Sequence, residues 1–198
     1  MDKYGEMGDS LYCYPGTNIL KNKLNIHDEQ ILEQAELELS GLASNLIEYA
    51  EPPYDSQYLK SIHAQLFGDL YDWAGKLRQI DISKGDTRFC NFSRIEIETN
   101  KLLKPLQEKK YFQGLAPQQL IPQLADLYCE LNVIHPFREG NGRTQRIFFE
   151  HLIAHCGYGI DWSRIDSQQQ WIQVNIEGFY GNLNPLIKIF EICFIQNT

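Results

Sequence analysis

Along most of this chain apolar residues recur at intervals of three and four, the spacing of one helix face. Residues 28–49 place Ile31, Leu32, Ala35, Leu39, Leu42 and Leu46 on an inward face, with Asp28 and Glu29 at an acidic start. Glu51-Pro52-Pro53 breaks that helix. Asp55 or Ser56 caps the next, on which Leu59, Ile62, His63, Leu66, Phe67 and Leu70 share a face. His63 there reads as a core or boundary histidine with its ring nitrogens satisfied. Ser93-Arg94-Ile95-Glu96 has the form of a capping box, with Phe92 spaced to staple onto Ile97, and opens a helix to about Glu108. Pro117 and Pro122 delay the following helix, whose apolar positions are Leu120, Leu124, Leu127, Tyr128 and Leu131. Pro136 closes it, because proline disfavours helical angles at the residue before it. Ile147, Phe148, Leu152 and Ile153 mark one more buried helix, stopped by Gly157-Tyr158-Gly159. Ser167 to Ile176 and Asn184-Pro185 to Phe194 predict two closing helices.

One stretch breaks the helical period. Around Ser83-Lys84-Gly85-Asp86 the pattern becomes Ile80, Asp81, Ile82 before the turn and Thr87, Phe89 after it, which predicts a short β-hairpin. The fold class is therefore all-α, a helical bundle with one small hairpin. A single domain over 1–198 is expected: an N-terminal arm over 1–25, the hairpin over 77–90, motif helices over 120–156 and closing helices over 160–198.

Charge and cysteine usage narrow the function. With a formal charge of −8 the protein is not built for general affinity to nucleic acid or membrane, so a local cluster of arginines stands out. The apolar runs are too short for a membrane span, and the polar N-terminus does not read as a signal peptide. Five cysteines, odd in number and without a Cys-x2-Cys pair, predict reduced thiols and a cytoplasmic setting. An export apparatus of its own would leave the same composition. His151 and His155 are four apart, but no Glu follows His151 and no third ligand is evident, so they read as hydrogen-bonded side chains.

The arginine cluster lies in His135-Pro136-Phe137-Arg138-Glu139-Gly140-Asn141-Gly142-Arg143-Thr144-Gln145-Arg146, between the two buried helices. Gly140 and Gly142 can take backbone angles closed to other residues, turning successive N–H groups into one concavity at a helix N-terminus, where an anion is favoured. Arg143 and Arg146, three apart, share a helix face and can grip further phosphates. Glu139 beside phosphates makes sense with Mg²⁺ between them. His135 titrates near neutrality and can take a proton from an attacking hydroxyl. These residue types together make a phosphoryl- or nucleotidyl-transfer site, and no P-loop occurs in the chain.

The stretch resembles the signature of the Fic-domain family, His-x-Phe-x-(Asp/Glu)-Gly-Asn-Gly-Arg-x-x-Arg, with every defined position matched. Tyr14-Pro15-Gly16-Thr17, Leu20 to Leu24, Leu70 to Arg78 and Ile82 to Phe89 are similar to flanking parts of bacterial members. The resemblance implies a protein adenylyltransferase that moves AMP from ATP to a Ser, Thr or Tyr hydroxyl of a target protein. It implies His135 as base and Glu139 as the Mg²⁺ ligand. Arg138, Gly140, Asn141, Gly142, Arg143 and Arg146 are the implied nucleotide-binding residues. It further implies that the flap residues Ile82, Ser83, Lys84 and Gly85 hold the target as an added strand. The alternatives are a non-catalytic ATP-binding or docking module, or transfer of a different phosphate-containing group. Many members carry an inhibitory (Ser/Thr)-x-x-x-Glu-(Gly/Asn) helix whose Glu pairs with the second motif arginine, here Arg146. In this chain Glu precedes Gly or Asn only at Glu139 and Glu177, and His135 and Gln173 stand four residues earlier, so an internal brake is not expected. A small helical antitoxin supplying the glutamate to Arg146 in trans is the implied partner. Analogy with stand-alone toxins points to type II topoisomerase subunits as targets.

Overall fold

The structure, a computed structural model, describes residues 9–196. Its helices run α1 Glu29–Ser44, α2 Ser56–Phe67, α3 Ile95–Leu103, α4 Pro105–Glu108, α5 Pro117–Ile134, α6 Asn141–His155, α7 Gln168–Phe179 and α8 Asn184–Cys193. The paired strands β1 Ser83–Lys84 and β2 Thr87–Arg88 form the hairpin, with Ser83 opposite Arg88 and Lys84 opposite Thr87. A second antiparallel pair joins β3 Tyr158–Ile160 to β4 Phe194–Gln196 and closes the C-terminus onto the end of α6. The expectation of one hairpin missed it. Strands of three residues, β3 half-buried throughout and β4 with only Phe194 buried, are too short for an alternation to be read.

α5 and α6 are antiparallel neighbours at the centre. α2 lies against α6, α7 and α8 against α5, and α1 against α2. Apolar positions of α5 and α6 are almost wholly buried: Leu120, Leu124, Phe148, Phe149, Leu152 and Ile153. The arm returns along residues 9–26. Lys23 N–H donates to the Leu70 carbonyl at 2.8 Å, and Gln79 N–H donates to the Tyr12 hydroxyl at 3.0 Å.

Four local readings change. α1 is rotated from its expected seat: Leu32, Glu36 and Ser40 face inward, while Ile31 and Leu42 are exposed and Leu46 lies exposed beyond the helix end. The cause is polar. Glu36 and Ser40, four apart, must both reach Arg143, and that pairing outweighs the apolar stripe. Residues 93–96 make no capping box, since Phe92–Arg94 is a 3₁₀ turn capped by Asn91, and α3 starts at Ile95. Asp81 holds that turn through the Phe92 N–H at 2.8 Å, so Phe92 and Ile97 stay exposed and unstapled. Pro105 divides the expected helix to Glu108 into α3 and α4. Pro117 occupies the first turn of α5, where its missing N–H costs nothing, and Pro122 sits inside the helix instead of delaying it.

Candidate active site

The two central helices meet at the loop between His135 and Asn141. α5 ends when His135, at the C-cap, leaves the right-handed helical region that the following proline disfavours and takes left-handed angles (φ 49°, ψ 64°). α6 begins when Gly140 takes φ 79° as its N-cap. Glycine is demanded there twice over, because a Cβ would also stand 2.3 Å from the Phe67 ring. Gly142 needs no special angles, contrary to expectation, since it lies within the first turn of α6. It is exposed with nothing within 4 Å of where a Cβ would be, so it keeps open the space over the unpaired N–H groups of that turn.

His135 is buried, and its ring is held on two sides. Nδ1–H donates to the Asn132 carbonyl at 3.1 Å, which leaves the basic lone pair on Nε2. Phe89, just past β2, stacks on the ring at 4.0 Å and 20°. Burial pushes the imidazole down to about 3, so it is neutral at ordinary pH. Behind it lies Arg78, whose side chain is fully buried. Its guanidinium donates to the carbonyls of His135 (2.9 Å), Ile134 (3.2 Å), Ile80 (2.6 Å) and Cys90. A cation on the last carbonyls of α5 satisfies orphan acceptors and suits the helix dipole. It also ties both ends of the hairpin segment to the base.

The other motif residues are distributed as follows. Asn141 closes the loop on itself: its amide accepts from Phe137 N–H and donates to Phe137 C=O, each at 2.8 Å. Arg138 turns towards the arm, pairing with Asp9 at 3.0 Å and lying over the Tyr12 ring. Arg143 lies over the Phe67 ring at 4.7 Å, pairs with Glu36 and donates to Ser40 Oγ at 2.7 Å. Glu36 in turn accepts from the Tyr71 hydroxyl at 2.5 Å. Arg146 is half-buried over Trp171 at 5.3 Å and near the Tyr128 hydroxyl, and its buried Nε has no hydrogen-bond partner among the described residues. Glu139 accepts at Oε1 from Gly140 N–H at 2.9 Å. Burial first, and then the Glu36 charge, hold its carboxyl above the usual range. A half-buried carboxylate pushed upward by desolvation and a neighbouring anion is one that a divalent cation would relieve, so the residues present fit Mg²⁺.

The hairpin stands beside this loop. Cys90 N–H donates to the Val133 carbonyl at 3.1 Å, and Ile82 is buried, whereas Ser83, Lys84 and Thr87 are half-buried and Gly85 is exposed. The decoy histidines have partners of their own, His151 the Tyr58 hydroxyl and His155 the Glu51 carboxylate at 3.3 Å. Sequence reasoning missed Glu36, Arg78 and Phe89 as parts of the site and left His63 in the core. Each lies far from the loop in sequence. Arg78 and Phe89 carried a signal, since each stands in a segment noted for resemblance; Glu36 carried none.

Residues 53–153 match the model of the Fic/DOC family. The chain is 46% identical over 190 residues to the probable protein adenylyltransferase Fic of Salmonella typhimurium, covering 96% of this chain and 94% of that one. The probable protein adenylyltransferase Fic of Escherichia coli matches with the same identity and coverage. Among solved structures, that of BepC from Bartonella tribocorum with bound AMPPNP superposes with a TM-score of 0.87 at 30% identity, covering 98% of this chain and all of that one.

Proposed function

The chain belongs to the Fic/DOC family, and on that premise we propose that it is a protein adenylyltransferase, moving AMP from ATP to a hydroxyl of a target protein. The observation that carries this reading is the state of His135: a neutral imidazole with its basic lone pair on Nε2, on the same loop as an open helix N-terminus. A metal-independent core of the mechanism follows. The first-turn N–H groups of α6 hold phosphate oxygens, and the orphaned Nε of Arg146 supplies a further donor. The target hydroxyl oxygen bonds to the α-phosphorus as the bond to the β-phosphate oxygen breaks, His135 Nε2 takes the hydroxyl proton, and pyrophosphate leaves. Such transfers depend on position and charge more than on a strong base, which suits an imidazole as weakly basic as this one. Glu139 would hold Mg²⁺, which when bound neutralises phosphate charge. Asn141, Arg138 and Arg143 act here by fixing the loop that the nucleotide meets.

The target segment is read as an added strand on the edge of the hairpin at Ser83, Lys84 and Gly85, with its hydroxyl delivered past Phe89 to His135. The nucleotide is controlled in trans. Glu36 pairs with Arg143 and Asp9 with Arg138, whereas no carboxylate is hydrogen-bonded to Arg146 among the described residues and its buried Nε has no partner there. The partner is a small helical antitoxin that brings a glutamate to Arg146. The outer face of α1, with Ile31, Leu37 and Leu42 exposed among the described residues, supports a helix packing there. Type II topoisomerase subunits in the cytoplasm are the proposed targets. The deciding experiment incubates the chain with labelled ATP, Mg²⁺ and bacterial lysate. A labelled band that disappears with His135→Ala is expected; ATP binding without any labelled band would make the chain a binding module.

A further inference from the structure

His63 on α2 is fully buried, and both its ring nitrogens are committed to different loops. Gly75 N–H donates to Nδ1 at 2.8 Å, which fixes the proton on Nε2. Nε2–H then donates to the Glu139 carbonyl at 3.0 Å. The ring face stacks on Phe137 at 3.9 Å and 22°. A core histidine chosen for packing alone would not bridge two backbone groups and also lie flat on the motif phenylalanine.

The consequence lies in the peptide that His63 holds. In a trans peptide C=O and N–H point in opposite directions. Pinning the Glu139 carbonyl on His63 therefore turns the Gly140 N–H the other way, and there it meets Oε1 of the Glu139 side chain at 2.9 Å. The imidazole thus sets the plane of the peptide whose N–H sets the carboxylate. The same peptide leads into the left-handed Gly140 that starts α6. We propose that His63 is a positioning residue for the adenylyl-transfer site: through the Glu139–Gly140 peptide it aims the Glu139 carboxylate at the cation that accompanies ATP. This rests on the nucleotidyl-transfer reading above.

Two near-isosteres separate this role from packing. In His63→Gln the amide nitrogen falls near Nε2 and can still donate to the Glu139 carbonyl. In His63→Asn the amide oxygen falls near Nδ1 and keeps only the Gly75 contact. Each loses the ring and one hydrogen bond, so melting temperatures should fall by similar amounts. Calorimetry on the full chain should then show Mg·ATP affinity close to wild type in His63→Gln. His63→Asn should lose ~10–100-fold, the usual effect of disturbing the support of a metal-ligating group. ATP affinity in the presence of a chelator should be nearly equal in the two. Affinities that fall in step with melting temperature, or His63→Asn binding Mg·ATP as wild type does, would overturn the proposal. Should neither variant fold, ¹⁵N-histidine spectra of the unaltered chain decide: an Nε2–H tautomer whose resonances shift with Mg·ATP supports it, and an Nδ1–H tautomer or no response refutes it. A wild-type chain that binds ATP but transfers nothing defeats the transferase reading alone, since the affinity comparison stands without turnover.

Discussion

At His135 two contacts from outside the motif, the Asn132 carbonyl and the Phe89 ring, decide which nitrogen is basic and which way it faces. His135→Ala should lower labelling by ~10²–10⁴-fold, the usual scale for removing a general base, while ATP affinity measured by calorimetry stays near wild type. More than about a tenth of wild-type activity surviving, on that scale, would remove His135 from the role. Its depressed proton affinity also has a stability consequence. Folded His135 takes a proton only near pH 3, whereas the unfolded chain takes it near the ordinary imidazole value of 6.5. Between those values the unfolded state binds more protons, so this group withdraws stability as pH falls below about 6.5. The melting temperature of wild type should therefore decline between pH 7 and 4 more steeply than that of His135→Ala. Parallel declines would mean that the imidazole is not held neutral by burial.

At the scale of elements, the start of α6 and the hairpin are the two places where a single backbone change should be decisive. Gly140→Ala forces an L side chain into left-handed angles, at ~1–2 kcal/mol, and drives its Cβ to 2.3 Å from the Phe67 ring. Calorimetric melting should reveal a loss above that strain alone; a change under about 1 kcal/mol would show that the loop relaxes at will. In the hairpin, Ser83→Pro removes one main-chain donor from β1 without touching the motif loop. Target labelling should fall while ATP binding is unchanged, since the nucleotide is held at α6. Undiminished labelling would exclude main-chain docking at that position. Ile82 is the poorer site for this test because its side chain is buried.

Across the whole molecule, α1 turns Glu36 and Ser40 inward to Arg143 beside Leu32, and leaves Ile31, Leu37 and Leu42 exposed. No carboxylate is hydrogen-bonded to Arg146 among the described residues: its guanidinium lies by the Tyr128 hydroxyl, and the buried Nε is without a partner there. Expressed without the proposed antitoxin, the chain should arrest growth or cause filamentation of the bacterial host, and His135→Ala should relieve it. Optical density and microscopy check this. Normal growth with folded, ATP-binding protein would set aside an unrestrained toxin.

What the sequence determined by itself was whatever is local. The periodicity of α2, α5 and α6, the Asp55 cap, the turn at Gly85-Asp86 and the motif loop all rest on residues within about one turn of one another, where spacing and chemistry are the same information. The orientation of α1 was not local. Its leucines predicted one face, and a buried pairing with Arg143, more than a hundred positions away, selected another. The second strand pair, the arm's Asp9 on Arg138, Arg78 behind His135 and His63 behind Glu139 were likewise decided only by the tertiary structure. A polar group buried on folding must find a partner wherever the chain brings one, and sequence spacing carries no record of a partner met across the core.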